Sequence, residues 1–229
     1  MIFQNLETIR QKINLACSRS GQLSENIHLI AVTKKVPAGP MIEASRYNIT
    51  DFGESKVQEA QTKFQEIHTA HPHLKWHLIG HLQSNKVNRA VELFDLIQSV
   101  DSIKLIERID RNAFELKKIQ NCLIELKVSQ EPAKTGMDET ELDAFFEYTE
   151  SLKNINIQGL MCIAPYFQDL NQTRPYFKKA RKIFEKYFIL KNKIKNPILS
   201  MGMSHDFETA IEEGSTMVRV GTAIFGDRI

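Results

Sequence analysis

Apolar or β-branched runs recur at 27–33, 49–53, 75–80, 96–100, 122–128, 157–164, 198–203 and 216–225, and most are separated by stretches with helical periodicity. Eight such runs are the number that closes a (β/α)8 barrel. The intervening segments 55–68, 84–94, 102–119 and 138–153 each open near Ser or Asp, residues whose side chains cap helix amides. No Pro/Gly/Ser-rich linker divides the sequence and no internal repeat is visible, so the pattern predicts one α/β domain over 1–229, a single TIM-type barrel. An open doubly wound sheet is the alternative, but it leaves edge strands and usually places G-x-G-x-x-G after its first strand. Here that position reads KKVPAG.

The last run, TMVRVGTAIFG, reaches Gly226 with only Asp227, Arg228 and Ile229 after it, so another element must cover the eighth strand. A helix over about 3–19, with Phe3, Leu6, Ile9, Ile13 and Leu15 available for burial, is positioned to do so.

Composition removes several function classes. A net charge of +2 and a pI near 8.3 lack the basic excess of a nucleic-acid binder. No segment is long and apolar enough for a membrane span, and Glu7, Arg10 and Lys12 interrupt what would be the core of a signal peptide. Cys17, Cys122 and Cys162 are widely spaced, without a C-x-x-C pair, as reduced buried thiols of a cytoplasmic protein would be.

In a barrel the functional residues stand at the C-terminal strand ends, with phosphate commonly bound after strands seven and eight. Those ends read SMGMSHD and RVGTAIFG. Gly202 permits a close turn, Ser204 brings a hydroxyl, Asp206 is placed to cap the short helix FETAIEEG, and Gly221 and Thr222 add an amide and a hydroxyl. Tight turns alone would also explain either segment, but the two together favour an anion.

The first strand ends in HLIAVTKKVP. Side chains alternate, so if Ile30 and Val32 face the interior, Lys34 reaches the mouth while Lys35 follows Leu29, Ala31 and Thr33 towards the helices. A lysine held beside apolar walls and other cations can present a neutral amine and condense with an aldehyde. An aldehyde together with a phosphate describes pyridoxal 5′-phosphate (PLP).

AVTKKVP, FGESKVQE, WHLIGHLQSNK, GLMCIAPY and LSMGMSHDFETAIEEGSTMVRVGTAIFG, in that order, resemble the YggS/PROSC group of PLP-binding homeostasis proteins over nearly the whole chain. The resemblance implies a fold similar to the barrel of alanine racemase and PLP as a Schiff base on Lys34. It further implies phosphate around Ser204, Gly221 and Thr222, Arg219 facing the pyridine nitrogen, and a role in vitamin B6 homeostasis, buffering or delivering PLP to PLP-requiring apoenzymes without evident turnover. Alternation independently lets Arg219 point inward with Gly221, although a structural ion pair inside the barrel would do the same. The rival reading is a PLP-dependent racemase or lyase; a weaker third is a regulatory module sensed through its PLP state. Against the enzyme stand an arginine that can only donate at the ring nitrogen and the missing second domain that supplies alanine racemase with a tyrosine; Tyr166 is a conceivable substitute.

One motif departs from the group, which commonly has Asn after Phe-Gly-Glu, where this chain has Ser55. Ser55 either caps the following helix or reaches the ring through water. His81 and Met161 are further pocket candidates, Met161 with barrel core as its competitor.

Other motifs carry nothing. GTAIFGDR has P-loop glycine spacing but Asp227 where lysine is needed; KTG at 134–136 lacks an S-x-x-K partner. His77 and His81, if on one strand, stand roughly 13 Å apart, too far to share a metal. The lysine-rich run 177–196 keeps Phe177, Ala180, Phe184 and Phe188 on one stripe, so its charges read as a solvated face.

Overall fold

The computed structural model describes residues 1–129, 131, 135–192 and 194–226; Lys134 and Asp227, which enter the KTG and P-loop-like motifs, lie outside the described residues. Among these residues eight parallel strands close a barrel in chain order: β1 His28–Val32, β2 Asp51–Glu54, β3 Lys75–Leu78, β4 Leu96–Val100, β5 Gln120–Leu126, β6 Ile155–Cys162, β7 Ile198–Met203 and β8 Met217–Val220. Pairing of β1 with β8, from His28↔Met217 to Ala31↔Val220, completes the ring. Ile30, Leu96, Leu123, Met161 and Met217 form an apolar cluster inside it. The larger core lies between the strands and the outer helices, as in a barrel whose centre is filled by side chains.

The helices are α1 Ile2–Ser20, α2 Ala38–Ser45, α3 Val57–Ile67, α4 Val87–Leu93, α5 Ile103–Glu115, α6 Leu142–Thr149, α7 Arg174–Phe184, α8 Phe207–Glu212 and α9 Thr222–Phe225. Expected caps are present at α5, where Ser102 Oγ accepts from Leu105 N at 3.3 Å, and ahead of α6, where Asp138 and Glu141 form a capping box. Helix α3 differs: Lys56 holds its N-cap position without a side-chain bond, so Ser55 is not the cap. Phe177, Ala180, Phe184 and Phe188 are buried along α7 and its π-helical continuation Glu185–Lys191, while Lys178, Lys179 and Lys182 face water.

The N-terminal helix packs beside the last strand, against the helices that flank it. Its buried stripe is Ile2, Leu6, Ile9, Ile13, Ala16 and Cys17, whereas Phe3 and Leu15 are exposed. Those two stand one position off the 3.6-residue stripe, on flanks that only a wider partner surface would bury. The helix packs on α8 and α9, and Asn5 Nδ2 donates to Ile224 O at 2.8 Å. Lys12 and Arg19 pair with Glu208 on α8, Arg19 also with Glu212. The eighth strand is shorter than its apolar run: it ends at Val220, and Ile224 N and Phe225 N turn back onto Gly221 O. No described helix is long and apolar enough to cross a membrane.

Candidate functional site

Ile30 lies in the interior cluster, and Val32 and Lys34 follow it to the mouth, where they line one cleft. Thr33 is buried on the opposite side against Glu54, and Lys35 is exposed. The two lysines are therefore separated by alternation as the strand period requires.

The cleft has a volume of about 350 Å³, near the lower end of the ~300–1,000 Å³ typical of small-molecule sites. It brings together six of the sequence candidates: Lys34, Ser55, Ser204, Arg219, Gly221 and Thr222. Gly221 N and Ala223 N both donate towards Ser204 Oγ, at 3.1 and 3.4 Å, so two amides and a hydroxyl converge at one point. Gly202, at φ 94°, lets β7 bend away beneath them. Asp206 does not cap α8 by the expected bond. Its carboxylate accepts from Met203 N at 2.7 Å, closing the loop that carries Ser204; burial nevertheless pushes its pKa up. That bond ties the last residue of β7, where the register with β8 is irregular, to the start of α8.

Arg219 is buried at 3% exposure, with Nη1 donating to Ser200 Oγ at 2.7 Å and Nη2 to Cys162 O at 2.9 Å. No carboxylate of the described residues forms an ion pair with it, and burial lowers its pKa from a value that leaves it cationic. Ser200 donates in turn to Gln98 Oε1 at 2.7 Å, and Gln98 Nε2 lies 3.1 Å from His77 Nδ1. Because an amide nitrogen only donates, His77 Nδ1 accepts, and its Nε2–H faces Asp51 Oδ1 at 3.0 Å. Hydrogen bonds thus run in one direction from the cationic mouth to a carboxylate at the base. Burial opposes ionisation of Asp51, but the bonds from His77 and Thr50 leave its pKa below the usual range.

Two candidates stand elsewhere. Met161 is fully buried in the barrel interior. His81 Nδ1 lies 3.3 Å from Asp101 Oδ2, away from the cleft lining. Sequence reasoning missed Val32, Ile79, Gly80, Ile163, Met203 and His205, which complete the wall. Ile163 had a signal, since it is the next inward position after Met161 and one step nearer the mouth. Ser55 is fixed by its backbone: a Cβ on Gly80 would come within 2.4 Å of Ser55 O. Tyr166 is 75% exposed and lies tilted against His205 with ring centroids 4.9 Å apart. A hollow of about 440 Å³ at the base, lined by Arg10, His28 and Asp51 among others, has no comparable convergence, and Arg10 is committed to Glu7 and Tyr47 O.

Residues 4–229 match the family model described as alanine racemase, N-terminal domain. The pyridoxal phosphate homeostasis protein of Aquifex aeolicus is 39% identical over 225 residues, 98% of this chain and 97% of its own. That of Escherichia coli K12 is 40% identical, covering 99% of this chain and 97% of its own. The chain belongs to the pyridoxal phosphate homeostasis protein family. The family's fold is shared throughout: PipY of Synechococcus elongatus, solved with PLP bound, superposes with a TM-score of 0.86 at 39% identity, covering 99% of this chain and 100% of that one. A Clostridium difficile alanine racemase, 14% identical and 60% covered, superposes at 0.75 over 98% of this chain and shows the barrel alone.

Proposed function

We propose that this protein binds PLP at the barrel mouth and serves vitamin B6 homeostasis, holding the cofactor covalently on Lys34 and passing it to PLP-requiring apoenzymes of the cytoplasm. The observation that carries the reading is the joining, in one cleft, of an inward lysine, a hydroxyl on which two backbone amides converge, and a buried guanidinium without a carboxylate partner among the described residues. The residues fit the cofactor's three handles: amine for aldehyde, hydroxyl and amides for phosphate, donor for ring nitrogen. When bound, PLP supplies an aldehyde carbon that forms a C=N bond to a lysine amine as the carbonyl oxygen leaves with two protons as water.

Lys34 is the residue that makes this bond. Ser204, Gly221 and Thr222 hold the phosphate, and Ser55 lies on the cleft wall within reach of the ring through water. Arg219, held by Ser200 and Cys162 O, donates to the ring nitrogen and cannot give it a proton, so the cofactor is bound without the electron-sink character that amino-acid chemistry needs. His81 and Met161 take no direct part.

Borohydride reduction and peptide mapping test the site: the pyridoxyl label is expected on Lys34, and a label on Lys35 refutes the alternation geometry. Lys34→Ala abolishes the label and keeps the far-UV circular dichroism. Incubation with a PLP-requiring apoenzyme restores that enzyme's activity as the bound pyridoxal signal falls. In deuterated buffer with saturating amino acid, α-proton exchange stays negligible. The cleft wall does hold one imidazole, His205, so multiple-turnover racemisation lost in both Lys34→Ala and His205→Ala establishes the enzyme reading instead.

A further inference from the structure

Lys34 sits in a tight turn whose conformation is costly. Val36 N donates to Thr33 O at 2.8 Å, closing a four-residue turn with Lys34 and Lys35 at its corners. Lys35 has φ 59°, a left-handed conformation in which an L side chain crowds its own backbone. Glycine is the usual residue there, and its absence requires something outside the turn to hold it.

Behind the turn, in the layer between β1, β2 and α3, lies a cluster of two carboxylates and one ammonium, with Glu54 and Lys63 buried and Glu59 half-buried. Lys63, 7% exposed, donates to Thr33 O at 2.6 Å, to Glu54 Oε1 at 2.7 Å and to Glu59 Oε1 at 2.7 Å. Thr33 Oγ1 donates to the same Glu54 oxygen at 2.6 Å, and Glu59 Oε1 accepts Lys35 N. All three donors of the ammonium are used. Glu54 Oε2 is buried without a hydrogen-bond partner, and burial raises the Glu54 pKa; bonds from Lys63 and Lys35 N hold that of Glu59 down against its own desolvation. Such a cluster is a poor device for stability, since apolar residues of similar volume often replace buried ion pairs without loss. Its contacts instead grip the chain on both sides of one residue, Thr33 before Lys34 and Lys35 after it.

We infer that Lys63, with Glu54 and Glu59, is a positioning device that holds the strained turn and thereby sets the approach of the Lys34 amine to the aldehyde. It acts through the backbone and touches no ligand, so its loss weakens the covalent bond and leaves the phosphate cradle, on β7 and β8, intact. The inference rests on the assignment of Lys34 as the cofactor lysine.

Lys63→Met keeps the stem and removes the ammonium; Glu59→Ala removes the oxygen that accepts both Lys35 N and Lys63 Nζ, and serves if the methionine variant does not fold. Affinity is measured for PLP and for pyridoxamine 5′-phosphate, which has the phosphate and ring but no aldehyde. Either variant should bind PLP at least about tenfold more weakly and pyridoxamine 5′-phosphate within about twofold of the parent. Adding Lys35→Gly, which makes the left-handed turn acceptable without the grip, should recover about threefold or more of the lost PLP affinity. Equal losses for the two ligands, or no recovery with Lys35→Gly, overturn the inference. Coupling between Lys63→Met and Lys35→Gly in thermal unfolding without ligand reads the grip alone, so coupling that persists while the parent's pyridoxyl label maps to another lysine assigns the failure to the cofactor site rather than to the clamp.

Discussion

Ser200→Ala cuts the interior hydrogen-bond chain at its link to Arg219. Ser200 Oγ is fully buried, accepts from the guanidinium at 2.7 Å and donates to Gln98 Oε1 at 2.7 Å. Removing the hydroxyl costs a hydrogen bond to a charged group, worth ~1.5–3 kcal/mol, and leaves a buried amide oxygen unsatisfied, worth ~1–3 kcal/mol. The two overlap because one lost hydroxyl enters both, so the expected loss is about 3 kcal/mol. For a domain of this size each kcal/mol lowers Tm by about 2–4 °C, which gives a fall of roughly 6–12 °C in scanning calorimetry. Water cannot repair the damage as it would at the surface, since the site is enclosed by Met217, Gln98 and the strands. Ser204→Ala is the control: its amides open onto the cleft, so the loss of stability should stay below about 1 kcal/mol. A fall of less than 2 °C for Ser200→Ala, or an equal fall for Ser204→Ala, refutes the argument that burial makes this chain costly to break.

In ligand titrations Ser204→Ala and Thr222→Ala should each weaken PLP by ~1.5–3 kcal/mol and pyridoxal by less; equal losses for both ligands move the two residues off the phosphate. Gly202→Ala should destabilise by about 2–4 kcal/mol in urea unfolding, because its Cβ at φ 94° would stand 2.6 Å from Ala210 Cβ and 2.9 Å from Phe207 Cα; a neutral result shows the loop to be freer than its contacts imply. Glu125 is pushed up in pKa by burial, despite Thr135 donating to it at 2.8 Å. A carboxyl whose folded pKa lies above its unfolded one favours the native state at low pH and loses that contribution as pH rises through the folded value, so Glu125→Gln should gain stability relative to the parent between pH 4 and pH 8. Urea midpoints at the two pH values decide it, and a relative loss on raising the pH reverses the sign.

The strand period made Lys34 legible and Lys35 excludable, because one residue of offset moves a side chain from barrel mouth to helix layer. The convergence of amides on Ser204 was legible as glycines and hydroxyls at the ends of β7 and β8, where a barrel gathers its loops. What the strand period could not supply is where a strand stops. β3 ends at Leu78, earlier than its apolar run, and the chain turns with Ile79 and Gly80 on the cleft wall while His81 lies beside Asp101. Met161 sits deeper than a strand-end position suggests: β6 continues to Cys162, so Met161 is packed in the interior cluster and Ile163 lines the cleft. TAIF at the end of the last run alternates no worse as strand than as helix, and only α1 lying across Ile224 separates the two.

The polar chain through the barrel was visible in the sequence only as misfits. His77, Gln98, Ser200 and Arg219 each interrupt an apolar run, one on each of β3, β4, β7 and β8. A buried polar residue needs a partner, so these four, gathered inside one barrel, are expected to find it in one another. Which pairs meet depends on the stagger between strands, a property of closure that no single strand carries. Donor and acceptor chemistry then orders them without further freedom. Arginine can only donate and the Asp51 carboxylate only accept, so serine, amide and imidazole between them take the single orientation that leaves Arg219 a donor at the mouth. A ring nitrogen placed there meets a hydrogen-bond donor that retains its proton, and the same closure that fills the barrel centre fixes that property.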